Sequence, residues 1–594
     1  MVICERYITG RSQVFLLHDS FRKELAQKLV TAIRNALSTE ISAEDLYPLF
    51  GSTPNKASGD LAFPLFIIAK QAKINPAQAA KKLEEADFPL PPFVTKKLAA
   101  GPYLNFFFDF NRIAQVIIPD ILSGKTFSTQ LSENTPKTMV EYSQPNTHKE
   151  LHVGHMRNLC LGDALIRLHR YAGFNIIAST FPGDVGTHVA KCLWYLKYHN
   201  QEKVPATRKG AWLGRMYSTA HNKLEEERGT DKEVQNREQL TAILKELEKK
   251  SGEFYDLWRQ TREWSIELMN EVYAWAGVKF DQWYWESEVD SDSVKLIREY
   301  QKKGLFKEDE GAIGIDLEEY KLGFCLLLKT DGNGLYATKD IELARRKFEN
   351  NGIEKSIYVV DKRQEHHFKQ VFKVLELMGF ENAKKCMHLQ YDFVELPDGA
   401  MSSRKGNIVP LQSLIEEMVK MIREQYLVRY LNEWSEAEIE KTAQIVAKGA
   451  IKYGMTRIDP NKKIVFDMKE WLKLDGESGP YVQYAYARIN SMLNKLGSPT
   501  SAELVFETPQ ENDVINHLMK FNTVVQEAVE QYKPSYLTAY LYDLGRYYNS
   551  FYAECPVGSA AEPVRSSRLA LSRAVALTLK QGLSLLGIEA PERM

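Results

Sequence analysis

The chain has 594 residues, of which 44% are hydrophobic and 26% charged, with a formal net charge of −1. That length exceeds what one hydrophobic core organises, so several domains are expected; the near-neutral charge leaves any RNA contact to local basic patches and stacking aromatics. No apolar run is long enough to cross a bilayer and no amino-terminal stretch reads as a secretory signal. Six cysteines (Cys4, Cys160, Cys192, Cys325, Cys386, Cys555) without a C-x-x-C pair argue against a disulfide framework or zinc site, so a reduced, cytoplasmic protein is expected.

Residues 1–135 form the first expected unit, a small α+β module whose first sixteen residues match no pattern. Leu25, Leu29, Ile33 and Leu37 recur every four residues, the spacing of one helix face. The aromatic-rich stretch from Gly101 to Asp109 opens on turn residues and predicts a strand, and the polar, proline-containing stretch from Ser132 to Lys137 reads as a linker.

Residues 136–411 are expected to form an α/β domain with a doubly wound, Rossmann-like parallel sheet. Thr138 to Tyr142 predicts a strand, a helix runs from His152 to about Tyr171 and ends at Gly173, and Asn175 to Ser179 predicts the next strand. Strand, crossover helix and strand make a βαβ unit. Further strands are expected at Cys325 to Lys329 and Ser356 to Val360, with Ala344 and Phe372 near the middles of intervening helices. Between about 191 and 300 the pattern turns helical and charged, and runs such as Lys223 to Arg228 and Lys245 to Lys250 read as solvated helix faces. From 412 to 594 strands are expected to vanish. Amphipathic helices carrying Ile445, Gly449 and Lys452 to Gly454, then Tyr481 to Leu493, then Ser567 to Leu586, predict a helical bundle.

At the strand-to-helix corner lies Lys149-Glu-Leu-His152-Val-Gly154-His155. A helix amino terminus presents N–H groups and positive dipole to a phosphate, two imidazoles three residues apart share one side of the first turn, and Gly154 lets a flat base approach. The plainer reading is two surface histidines that happen to be close. Their place at the corner argues for function.

The segment resembles the HIGH motif of class I aminoacyl-tRNA synthetases, with Val153 at the hydrophobic position. The resemblance implies that His152, Gly154 and His155 bind ATP and that the histidines stabilise the transition state as an amino-acid carboxylate attacks the α-phosphorus. The second class signature, KMSKS, has its counterpart in Gly399 to Asn407, where Met401 and Ser402 are kept while Ala400 and Ser403 replace the two lysines. Such a degenerate M-S-x-R-K-G loop, with a lysine just before the histidines, is similar to arginyl-tRNA synthetases. Lys149 is therefore expected to supply positive charge at the phosphates, helped by Arg404 or Lys405, with Met401, Ser402 and Ser403 completing the ATP site. Taken alone, the loop reads as a basic surface turn.

The remaining motifs resemble the same family. Glu141 to Asn146 is similar to E-x-S-x-P-N, Tyr336 to Asp340 to Y-x-T-x-D, Gln364 to Phe368 to Q-x-x-H-F, and Gly183 to His188 to G-D-x-G-T-Q/H. The resemblance implies that Glu141 and Asp340 face the guanidinium, Tyr336 and Gln144 line the pocket, and Asn146 and Gln364 hold the amino-acid end. A planar fork of donors calls for carboxylates in bidentate reach. A buried acidic pair lacking a cation also argues for a cationic ligand between them. Each motif singly has an ordinary explanation: a strand-edge Glu, a helix N-terminal Asp, a capped histidine.

Tyr481 to Ile489 resembles the Q-Y-A-x-A-R-I/L signature of the family's anticodon-binding bundle, which offers Tyr484 and Arg488 as tRNA contacts, and the Tyr547 to Tyr552 stretch and terminal Pro-Glu-Arg-Met594 fit it too. The amino-terminal module, with Gly59 to Pro64, resembles the family's additional domain, which approaches the tRNA elbow and offers Asn105 and Phe107 for a base contact. Tyrosines at helical spacing are equally core residues. The resemblance implies attachment of L-arginine to tRNA(Arg) through arginyl-adenylate, with ATP as substrate, Mg²⁺ carried by the phosphates, no protein-held metal, no membrane, and a monomer that needs tRNA even for activation. Two alternatives stand beside it: another class I synthetase, such as that for cysteine or glutamine, and a non-catalytic tRNA-binding relative. A cysteine-specific enzyme would need zinc ligands, and the isoleucine, valine and leucine enzymes a β-rich insertion; a non-catalytic tRNA-binding relative would have lost the histidines or the acids.

Overall fold

Leu25, Leu29, Ile33 and Leu37 lie buried along one side of the helix Leu17–Leu37, as their four-residue spacing predicts. The computed structural model describes residues 17–51, 53–128, 134–396, 399–400, 410–501 and 503–594. The helix packs against the helix Pro76–Glu85, which lies on an antiparallel sheet of β1 (Leu61–Pro64), β2 (Val94–Ala100) and β3 (Tyr103–Phe108), in the order β1-β3-β2. Gly101, at φ +58°, makes the tight turn from β2 to β3 that its place in the sequence predicts.

The middle unit holds β4 (Thr138–Glu141), β5 (Ile176–Thr180) and β6 (Gln282–Trp283), then β7 (Lys307–Asp309), β8 (Ala312–Asp316) and β9 (Phe324–Leu328), then β10 (Lys355–Asp361) and β11 (Cys386–Tyr391). Five of these make a parallel sheet in the order β11-β10-β4-β5-β6, the doubly wound architecture expected. The chain leaves β4 on one side for β5 and returns on the other as β10, so the strand order reverses beside β4; the carboxyl end of that strand is where such sheets hold ligands. The helix Val153–Tyr171 crosses from β4 to β5, and a side chain at Gly162 would collide with the Tyr142 ring. Gly173, at φ +92°, ends it.

Three expectations change. The strand at Cys325 forms, yet it belongs to a separate antiparallel sheet, β7-β8-β9, set before the helix Tyr336–Asn351. The charged region is helical as expected, but β6 interrupts it and returns the chain to the parallel sheet. Past residue 412, among the described residues, one strand persists, β14 (Ile464–Val465). It pairs with β12 (Val394–Leu396), which also pairs with β13 (Gly399–Ala400).

The carboxyl-terminal helices include Glu436–Thr456, Gly479–Leu496, Ser535–Glu554 and Val564–Leu585. Their core is continuous with that of the amino-terminal module, joining Leu29, Phe106 and Ile117 to Tyr486, Leu541 and Leu579. The Asn111 side chain donates from Nδ2 to Phe506 O at 3.0 Å and accepts the Phe506 N–H on Oδ1 at 2.8 Å across that seam. Among the described residues no helix is long and apolar enough to cross a membrane.

Candidate active site

His152 caps the helix Val153–Tyr171: its Nδ1 accepts the Gly154 N–H at 3.1 Å, and His155 Nδ1 accepts the His152 N–H at 3.1 Å. The two imidazoles thus form a reciprocal capping box, with ring centroids 3.9 Å apart. A ring nitrogen that accepts carries no proton, so each neutral imidazole holds its proton on Nε2. Burial, reinforced by Lys149, pulls His152 down to about 4. Burial, then the charges of His152 and Lys149, hold His155 well below its usual range. Both rings are therefore neutral Nε2–H donors at neutral pH. This amends the picture of open helix N–H groups: two backbone donors are taken up by the imidazoles, and the ring Nε2–H groups replace them.

The loop before the pair is fixed by a residue that the sequence did not single out. His148 is buried at φ +60°; Nε2 lies 2.8 Å from Thr261 Oγ1, Nδ1 2.9 Å from Thr147 Oγ1, and its N–H donates to Ser265 Oγ at 2.9 Å. Burial, then Arg262, lowers its pKa to about 3, so it is a neutral post and not a charge. Beyond it, Lys149 Nζ stands 5.1 Å from the centre of the Tyr217 ring on the helix Lys209–Glu226. That helix closes on the loop at Gly214, where a side chain would strike the Glu150 backbone. Met401, Ser402, Ser403, Arg404 and Lys405 lie outside the described residues; Pro410, past them, bridges to His152.

The acids meet chain partners. Glu141, buried at the carboxyl end of β4, has Oε2 2.5 Å from Lys347 Nζ and accepts Gln144 Nε2 on Oε1 at 3.2 Å. Asn158 Nδ2 donates to Gln144 Oε1 at 3.2 Å and to Val359 O at 2.9 Å, which fixes the glutamine's orientation. Asp340 Oδ2 stands 2.6 Å from His367 Nε2. The expectation of an acidic pair with no cation of its own does not hold, so the argument from uncompensated charge falls away. The sequence carried a signal for Lys347: it lies seven residues after Asp340, on the same face of the helix that Tyr336 begins.

Tyr336 is 67% exposed at the start of that helix, and Gln364 is exposed ahead of the helix Glu365–Leu377. Asn146 pairs with Gly183, where a Cβ would collide with the asparagine's Oδ1. Beside them stands Glu286, which sequence reasoning missed. Burial drives its carboxyl up to about 7 against the opposing pull of Lys339, 3.7 Å away, and Asp184 and Asp340 add to the rise. Asp184 is held by Arg262 Nε at 2.7 Å and by Ser287 Oγ at 2.7 Å, so the Gly183 to His188 stretch is anchored to the helix Glu253–Ala276.

Three family models match the chain: "Arginyl tRNA synthetase N terminal domain" over residues 23–108, "tRNA synthetases class I (R), catalytic domain" over 117–468 and "DALR anticodon binding domain" over 482–594. An arginine–tRNA ligase of Bdellovibrio bacteriovorus is 56% identical over 582 residues, covering 97% of this chain and 100% of that one. That of Clostridioides difficile is 33% identical, covering 96% and 100%. The chain belongs to the arginyl-tRNA synthetases. It is a class I arginine–tRNA ligase, which aminoacylates tRNA(Arg). The solved arginyl-tRNA synthetase of Thermus thermophilus superposes with a TM-score of 0.77 at 28% identity, covering 96% of this chain and 100% of its own.

In the amino-terminal module and the carboxyl-terminal bundle of the synthetase, the residues expected to contact tRNA separate. Asn105 is buried in β3 beside Gly59, with no hydrogen bond to its Oδ1, while Phe107 is half-buried with Lys96 Nζ 5.2 Å from its ring. Tyr484 packs partly into the core, whereas Arg488 is exposed and its guanidinium lies 4.5 Å from the centre of the Tyr552 ring. The adjoining Gln483 ties the bundle together, donating to Glu589 O at 2.8 Å and Ile445 O at 3.2 Å.

Proposed function

We propose that residues 136–411, with a helical insertion over about 191–300, carry the chemistry, that 1–135 approach the tRNA elbow and that 412–594 read the anticodon. His152, Gly154 and His155, with Lys149 and the Met401 to Lys405 loop, take ATP. Glu141, Gln144, Asn146, Tyr336, Asp340 and Gln364 take arginine. The substrate carboxylate forms a bond to the α-phosphorus as the bond to the pyrophosphate oxygen breaks; a hydroxyl of the tRNA 3′-terminal adenosine then attacks the acyl carbon and AMP leaves. The observation that carries this reading is the reciprocal cap of His152 and His155, because it fixes both Nε2–H groups as donors for charge developing on phosphate oxygens. Mg²⁺ accompanies the phosphates, the enzyme acts as a cytoplasmic monomer, and Asn105, Phe107, Tyr484 and Arg488 contact the tRNA.

Pyrophosphate exchange measured over all twenty amino acids, with and without tRNA(Arg), tests the scheme. Exchange confined to arginine and dependent on tRNA is expected. Exchange with another amino acid, or none with arginine and tRNA present, overturns it.

A further inference from the structure

Lys347 has none of its surface exposed to solvent, and no substrate-binding motif of the sequence contains it. Its ammonium lies 2.5 Å from Glu141 Oε2 and 3.8 Å from the centre of the Tyr358 ring. Tyr358, on β10, is the register partner of Glu141 on β4, so the two strands that flank the reversal of strand order hold the lysine between an acid and an aromatic face. Lysine stems bury readily, but a charged head this deep persists only when paired. The other groups shown beside the ammonium are neutral: the Tyr358 phenol, raised well above its usual value mainly by burial, and the Cys386 thiol, raised by burial to about 11. The inner oxygen of Glu141 and the ammonium make a charge contact without a hydrogen bond, while Oε1 is shared with Gln144, which Asn158 orients. The carboxylate is thus fixed on two sides, with lone pairs remaining on Oε1.

We infer that Lys347 is a positioning residue for arginine selection: it pairs with the buried Glu141 carboxylate and holds it oriented, so that a guanidinium meets a preset acceptor. This rests on the reading that Glu141 faces the substrate guanidinium. Lys347 lies on the face of the helix that also presents Asp340, so one rigid element sets both acids.

The test is a double-mutant cycle in the full-length enzyme charging tRNA(Arg), using E141Q, K347Q, E141Q/K347Q and K347R, with folding checked by thermal unfolding. E141Q is expected to raise the arginine KM about tenfold or more, as loss of a charge-assisted contact does. K347Q is expected to raise it about tenfold, with kcat and the ATP KM within about threefold, and K347R to bring it back within about threefold of wild type. In the E141Q background, K347Q should add less than about twofold, because its target is already gone. An unchanged arginine KM in E141Q removes the pocket reading and Lys347 with it. A raised KM in E141Q with an unchanged one in K347Q, a K347R no better than K347Q, or a full further loss in the double variant overturns the role of Lys347 alone. Where K347Q does not fold, the double variant, which removes both charges together, decides by comparison with E141Q.

Discussion

His367 Nε2 stands 2.6 Å from Asp340 Oδ2. Burial alone would lower the imidazole's pKa, yet the hydrogen bond and charge of Asp340 overcome it, and the ring titrates above its usual value. A raised pKa in the folded state means that the proton stabilises the fold: the contribution is complete below the unfolded value of about 6.5 and fades as pH rises through the folded one. In D340N only burial remains, so His367 should titrate below about 6.5, and the stability gap to wild type should be wider at pH 6 than at pH 8. Histidine ring titration by NMR and thermal unfolding at the two pH values measure this. The same variant is expected to raise the arginine KM more than about tenfold, through loss of about 1.5–3 kcal/mol. An unmoved His367 titration would show that the pair does not set it.

The capping and chemical roles of His152 can be separated. Asparagine caps helices well, so H152N should retain stability within about 0.5 kcal/mol, while H152A loses about 1 kcal/mol. Both lack the Nε2–H donor, and pyrophosphate exchange should fall about 100-fold in each. A near-native rate in H152N would leave His152 with a structural role only.

Lys149 lies close enough to depress the pKa of His152, His155 and His188, so its charge reaches the proposed ATP corner. K149A is expected to slow arginine-dependent pyrophosphate exchange about tenfold or more, as loss of one positioned cation at a phosphate does. Wild-type exchange would sink the idea that it stands in for the missing loop lysines.

Arg488 and Tyr552 present an exposed cation beside a half-buried ring on the carboxyl-terminal bundle. R488A should raise the KM for tRNA(Arg) about threefold to tenfold while leaving the arginine KM unchanged, because stacking and phosphate contact act on the RNA alone. A shift in the arginine KM with none for tRNA would place the residue elsewhere in the mechanism.

The sequence by itself determined the local elements and the chemistry-bearing groups. Four-residue spacing marked the first helix, Gly173 its counterpart's end, and the His152 corner the proposed nucleotide site, because helix periodicity, turn residues and short motifs are local properties of the chain. Tertiary structure alone decided what those groups face. Cys325 lies in a strand, but which sheet it joins depends on β7 and β8; β6 is two residues long and has no periodicity to read. The amino-terminal and carboxyl-terminal modules share one core across nearly 400 residues of chain, as in the Asn111 and Phe506 hydrogen bonds, and no local pattern encodes that contact. The acids of the proposed pocket looked uncompensated in sequence. Folding brings Lys347 to Glu141 and His367 to Asp340, because charge pairing in a buried site is set by distance through space and not along the chain.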